Sequence, residues 1–387
     1  MAQSTDAAAP PASLPGKTPP PSTTTPPSTT TTNIDALFLA DPPPLDPEWV
    51  QHERDQNLPY PRPVVPPLIR QPLYVVECRE LTARMTAPGA RDHHLADGID
   101  VKPLTVTSSL DAYEVPLLSY SLEGATDNPD YAVLYIHGGG LHIGEADSEE
   151  LSCRRILKEA RLPPLKEGAG APSLVVYSVG YRTMPQHPAS TCVADCIDAY
   201  RYVRGTHSDL SKTKLLVVGS SSGGELAAFV SQEAAKDAEK SGRVSGVSGV
   251  VLRCPVTSDA FNGKDYIPPA LRPLHTSALN AKFATTLLGH MHRLVPRDGL
   301  PYMPLEAPPA LLQKQPRHWI QVCTNDMLYS DGVCYAKALQ LAGAAEVQVD
   351  VVVGWPHTFW LKTPWMDRAL EADQAMLRGL AWVAEGP

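Results

Sequence analysis

Residues 214–229 read KLLVVGSSSGGELAAF. A short apolar run enters a cluster of small residues, and a helix-favouring, alanine-containing stretch leaves it. This is the pattern of a buried strand, a tight turn and a helix, and its reading decides the fold. It also poses a choice among three consecutive serines. A nucleophile at the tip of such a turn sits in a strained backbone conformation. Side chains two residues before and after it would collide, so glycine is needed at both places. Ser220 would need glycine at Val218 and Ser222, and Ser222 would need it at Ser220. Only Ser221 is flanked correctly, by Gly219 and Gly223. Gly-x-Ser-x-Gly alone also occurs as a mere small-residue turn, so the reading depends on whether partner residues exist.

On either side of this turn the chain alternates. YAVLYIHGGG (131–140), SLVVYSVGYR (173–182), GVVLRCPVT (249–257), HWIQVCTNDM (318–327) and EVQVDVVVGWPH (346–357) are short apolar or β-branched runs that read as buried strands. Helical stretches separate most of them: DSEELSCRRILKEARL with capping-box spacing from Asp147 to Glu150, TCVADCIDAYRYVRG, the run after Ser221, and DRALEADQAMLRGLAWVAEG. Strands alternating with helices predict an α/β fold, a mostly parallel sheet covered on both faces. Ahead of it, VKPLTVTS and YEVPLLSYSLEG predict an antiparallel pair of strands. One long Pro-rich, faintly helical segment, residues 258–309, interrupts the alternation and reads as a lid or cap.

Composition narrows the function classes. Of 387 residues, 43% are hydrophobic, which supplies a sizeable core, and the formal net charge is -9. With no basic cluster to follow phosphates, nucleic acid is not an expected partner. No apolar run approaches the roughly 20 residues of a membrane span. The first residues lack the basic start and apolar stretch of a secretory signal. Seven dispersed cysteines read as reduced core thiols, so a cytoplasmic location is expected. Many of the 40 prolines crowd the start, and residues 1–32 are expected to be a disordered Pro/Thr-rich tail before one domain spanning 33–387.

Acyl transfer from a serine needs three further parts. Donors must face the oxygen that becomes negative, and one such donor is typically worth about 3 kcal/mol. The glycines of IHGGGLHIG (136–144) and the helix start after Ser221 nominate the N–H groups of Gly138, Gly139 and Ser222. His137 reads as a loop-orienting residue, and His142 as either a pocket or a surface residue. A histidine must take the serine proton, and an acid must hold that histidine. Asp326 and His357 each follow an apolar strand, in the order serine, acid, histidine. Asp331 is a rival acid, better placed to cap or brace the next helix. His275, His290 and His292 fall in the insertion, and His318 starts a strand. DHH (92–94) and HMH (290–292) are too sparse for a metal-ligand set, so no metal is expected.

Collected together, HGGG (137–140), YRTMPQHP (181–188), GSSSGG (219–224), DMLYSDG (326–332) and HTF (357–359) make the chain resemble the hormone-sensitive-lipase-like branch of the α/β-hydrolases, from about Tyr131 to the C-terminus. The resemblance implies an eight-stranded sheet with a helical cap, here from about 33–72 and 258–309. It also implies a cofactor-free carboxylic ester hydrolase with Ser221, Asp326 and His357 as its triad. Two positions depart from the family pattern: Ser220 stands where that family has Asp, which removes a buried charge, and Ser222 where it has Ala. The expected substrate is an ester or lactone of a small or medium hydrophobic molecule, as in secondary metabolism. The same fold also serves dehydratases, cyclases and non-catalytic ligand-binding proteins.

Overall fold

The computed structural model describes residues 29–61, 63–126, 128–165, 170–209, 212–289 and 293–386. The expected tail up to residue 28, and His290, Met291 and His292, lie outside the described residues.

One mixed sheet organises the chain, in the order β1-β9-β8-β7-β6-β4-β5-β3-β2. Its strands are β1 (Thr29–Thr31), β2 (Ile99–Thr107), β3 (Glu114–Leu122), β4 (Tyr131–Ile136), β5 (Leu174–Val179), β6 (Lys214–Ser220), β7 (Gly249–Arg253), β8 (Arg317–Asn325) and β9 (Val347–Pro356). From β5 through β4, β6, β7 and β8 to β9 the pairing is parallel. β2 and β3 form the expected antiparallel pair, and β3 joins the rest antiparallel to β5. The expected eight strands are therefore β2–β9. The ninth corrects the tail boundary, since Thr29–Thr31 pair antiparallel with Val349–Val351 at the sheet edge. Threonine is β-branched and suits a pleated edge, which low complexity conceals.

Period-two alternation sends side chains of each strand to two cores. Leu134 and Ile136 of β4 join one with Val217 of β6. That core lies under α4 (Ala189–Thr206), α5 (Ser222–Ser241), the one-turn α6 (Pro309–Leu312) and α7 (Tyr329–Ala342). Val133 and Tyr135 join the other, under α3 (Glu150–Glu159) and α8 (Asp367–Glu385). The expected capping box at α3 does not form. Asp147 is taken by Arg79 at 2.6 Å, and Glu149 occupies the cap position without a side-chain cap bond.

The two segments expected to form a helical cap differ from each other. The N-terminal one carries α1 (Pro47–Asp55) and α2 (Pro67–Thr86), so the expected limit at Pro72 falls inside a helix. Between 258 and 308 the described residues form only short 3-10 turns and no α-helix. Pro273 and Pro296 bound the faintly helical stretch 277–294 but none lies within it, and Asn280, Thr285, Thr286 and Gly289 inside it are poor helix formers. Phe261, Ile267, Leu271 and Phe283 of this insertion are buried in the first core. Among the described residues no helix is long and apolar enough to cross a membrane.

Strand register sets up the site. Ile136 pairs with Gly219, Ser220 with Arg253, and Asn325 with Pro356. The residues just past β4, β6, β7, β8 and β9, namely His137, Ser221, Cys254, Asp326 and His357, thus meet at one carboxyl edge, where α/β sheets place their sites.

Candidate active site

Ser221 has φ 53° and ψ −122°, a left-handed conformation rare for a residue with a side chain. The flanking glycines are sterically required: a Cβ at Gly219 would lie 2.2 Å from Gly223 O, and one at Gly223 2.1 Å from Ile136 O. The turn is pinned to the neighbouring strand, with Ser221 N–H donating to Arg253 O at 2.8 Å.

His357 Nε2 lies 2.9 Å from Ser221 Oγ, and its Nδ1 lies 2.7 Å from Asp326 Oδ2. The second Asp326 oxygen accepts Leu328 N–H at 2.9 Å, fixing the carboxylate in its turn. Burial pulls the His357 pKa down, but the charge and hydrogen bond of Asp326 outweigh it, so the pKa is raised. The expected serine, acid and histidine are therefore brought together in one relay. Asp331 is engaged elsewhere: it accepts from Thr257 N, Ser258 N and Ser258 Oγ, and contacts His275 Nε2 at 2.7 Å, bracing the start of the insertion.

The oxyanion donors need one correction. Gly138 N–H does not face an open site but donates to Glu149 Oε1 at 2.7 Å. Leu141 N–H is likewise given to Ser222 Oγ at 3.2 Å. Among the described residues, no acceptor faces the N–H of Gly139, Gly140 or Ser222. Gly139 and Gly140 have φ of 125° and 65°, so this turn requires glycine. His137 acts as a prop: its ring stacks on Tyr181 at 4.3 Å, its Nδ1 sits 2.7 Å from Gly138 O, and burial lowers its pKa. The half-buried His142 holds Gly140 O through Nδ1 at 2.7 Å.

Ser220 was expected to leave the site without its usual buried charge, and the structure corrects that too. The buried Glu149 carboxylate accepts from Ser220 Oγ at 2.6 and 2.8 Å. A carboxyl group is thus present, supplied from the start of α3. A second residue missed in sequence is Cys254, buried beside the relay. Cys254, Asp326 and His357 offer donor atoms within 4.8 Å of one another, a set capable of holding a metal ion. Spacing could not reveal it, because the three come from different strands. Both His357 nitrogens are already used within the relay, so a metal would have to displace those bonds.

A cavity of about 630 Å³ opens between α2, β3 and the loop after the HGGG turn, lined among others by Gln71, Val75, Leu117, Ala146, Tyr181 and Thr183. None of Ser221, Asp326 and His357 lines it. Gln71 closes one side by donating to His142 O at 2.7 Å and Met184 O at 3.1 Å.

Comparison with known proteins agrees with this fold. Residues 133–361 match the family described as alpha/beta hydrolase fold. Ethyl acetate hydrolase of Pseudomonas putida is 27% identical over 296 residues, 74% of this chain and 85% of that enzyme. FAD-linked oxidoreductase pytB of Aspergillus terreus is 30% identical over 271 residues, 68% of this chain but only 30% of that protein. The solved esterase of Pyrobaculum calidifontis has the same fold, with TM-score 0.64 and 23% identity over 88% of this chain and 99% of that one.

Proposed function

This chain belongs to the alpha/beta hydrolase family, in its hormone-sensitive-lipase-like branch, and from that premise we propose that Ser221, His357 and Asp326 hydrolyse carboxylic esters. The observation that carries the reading is the unbroken relay Ser221–His357–Asp326, at 2.9 and 2.7 Å.

Ser221 Oγ bonds to the ester carbonyl carbon as its proton passes to His357 Nε2, and the carbonyl oxygen takes the negative charge. The N–H groups of Gly139, Gly140 and Ser222 receive that oxygen. Ser222 adds the favourable field of a helix N-terminus. Protonated His357 gives its proton to the departing alcohol oxygen, leaving an acyl-serine. Water, deprotonated by His357, then releases the acid and restores Ser221. Asp326 keeps the proton on Nδ1, so that Nε2 faces the serine as acceptor.

Similarity to an ethyl acetate hydrolase over most of its length supports a short acyl group. Burial of Phe261, Ile267, Leu271 and Phe283 leaves fewer insertion side chains to line a long acyl tunnel. We assign the substrate to small or medium hydrophobic esters or lactones, and the two segments around 33–86 and 258–308 to the cap over them. Seven buried free cysteines fit a reducing, cytoplasmic setting. The relay also supports acyl transfer through Ser221 over a dehydratase or purely ligand-binding role, because its general base stands in contact with a serine. A panel of p-nitrophenyl esters from acetyl to palmitoyl tests the assignment. Highest kcat/KM at acetyl or butyryl is expected, and a preference for palmitoyl would overturn the proposed acyl size.

A further inference from the structure

We infer that Glu149 is a positioning residue for the oxyanion loop, holding it against the nucleophile turn in place of an acid at residue 220. The inference rests on the ester-hydrolase reading above.

Glu149 is 3% exposed, yet it lies 71 residues before Ser220 in the chain. Its carboxylate joins three elements. Oε1 accepts Gly138 N–H of the HGGG loop at 2.7 Å. Ser220 O–H, at the end of β6, faces both oxygens, and Tyr135 O–H of β4 reaches Oε2 at 2.5 Å. Every partner is a donor, which matches a carboxylate used only as acceptor. A buried carboxylate is costly unless its hydrogen bonds are made, and these also tie it to one geometry.

The geometry bears on the reaction through Gly138. A Cβ at that residue would lie 3.1 Å from Ser221 Cβ and 3.0 Å from Ser220 O, so the loop rides directly on the nucleophile turn. Committing Gly138 N–H to Glu149 fixes that peptide plane. The following amides, Gly139 and Gly140, are then the ones left to face the developing oxyanion. Ser220 lies against the same loop, its Oγ 3.3 Å from where a Gly138 Cβ would sit, and passes its hydroxyl to the same carboxylate. The side chain before the nucleophile and the side chain at the start of α3 therefore form one unit, with the carboxyl group on the second.

A residue that sets donor geometry affects the transition state more than the ground state. Glu149→Gln keeps the size but turns one acceptor into a donor facing donors. Its kcat is expected to fall about 10- to 100-fold with KM within about twofold, a smaller loss than the roughly 10²–10³ for an outright oxyanion donor. Affinity for benzeneboronic acid, a tetrahedral mimic, should fall by the same factor. Moving the carboxyl group to residue 220, in Ser220→Asp/Glu149→Gln, should recover most of the lost kcat, a rescue that mere loss of packing would not allow. If Glu149→Gln does not fold, Ser220→Ala takes its place, with a several-fold loss in kcat alone. Unchanged kcat in Glu149→Gln, or a double variant no better than the product of its singles, overturns the inference. A parent with no ester turnover overturns the reaction reading instead, and boronate affinity then decides the role of Glu149.

Discussion

Two Ser–His–Asp groups lie among the described residues. In both, an aspartate oxygen lies 2.7 Å from a histidine nitrogen, yet only one is built to react. Ser221, His357 and Asp326 form a line, with the acid on Nδ1 and the serine on Nε2. Ser258, His275 and Asp331 form a closed triangle. His275 Nε2 meets both Ser258 Oγ, at 3.2 Å, and Asp331 Oδ1, while Ser258 also donates to Asp331 at 2.9 Å. In the line, a proton can enter at one nitrogen while the acid holds the other. In the triangle, serine and acid compete for one nitrogen and the serine proton already belongs to the carboxylate. Accessibility differs as well: Ser221 is half-buried on a strained turn, whereas Ser258 is fully buried at the root of the insertion. Composition of the group does not make a nucleophile; connectivity and a strained, reachable serine do.

Substitution should separate the two groups most sharply at the serines. Ser221→Ala is expected to lower kcat by about 10⁶-fold with little change in thermal midpoint. Ser258→Ala should keep kcat within about threefold and lower the thermal midpoint by several degrees, since it leaves buried partners unpaired. Comparable kcat losses in both variants would erase the distinction.

The acids should repeat the contrast at smaller amplitude. Asp326→Asn is expected to cost on the order of 10⁴ in kcat, because the wrong tautomer is held. Asp331→Asn should act on stability, by about 1–3 kcal/mol, through the bonds to Thr257 and Ser258. Denaturant melts beside initial rates would show it, and the opposite pattern would exchange the two roles.

Acidity gives a third handle. His357 must be neutral to accept the serine proton, and Asp326 raises its pKa above the ordinary histidine value of 6.5. The kcat/KM profile should therefore rise with pH through the alkaline side of that value, and Asp326→Asn should move the inflection down. A profile already flat from pH 6 upward would contradict the electrostatic account.

The smallest effect concerns Glu225, one turn along α5 from Ser221 and close enough to Asp331 to feel its charge. Burial raises its carboxyl to about 8, with the Arg293 charge only partly opposing. The unfolded chain loses this proton near 4.5 and the folded one near 8, so stability falls as pH climbs through that interval. Glu225→Gln removes the slope: relative to the parent, its thermal midpoint should gain a few degrees between pH 5 and pH 8. An unchanged difference across that range would place the ionisation elsewhere.

Much of the reactive group was legible because its constraints are local. Glycines two residues either side of Ser221, and strands ending just before Asp326 and His357, are readable from a linear string. What escaped depends on which strands become neighbours. Glu149 lay hidden because the bond from Ser220 crosses from β6 to the start of α3. Cys254 is significant only because β7 lies beside β6. Gly138 looked like a free donor since a glycine run says where backbone is bare, not which N–H a distant carboxylate will claim. The insertion kept its hydrophobic residues but lost its expected helices, because Asn280, Thr285, Thr286 and Gly289 outweigh a weak periodicity and prolines bound it on both sides.

The most direct test of the account is covalent. The protein is treated with a fluorophosphonate ester, digested, and the modified residue located by tandem mass spectrometry. One adduct per chain, on Ser221 and absent from Ser221→Ala, is the expected result. An adduct on Ser220, Ser222 or Ser258, or full ester turnover in a chain that takes no label, would contradict it.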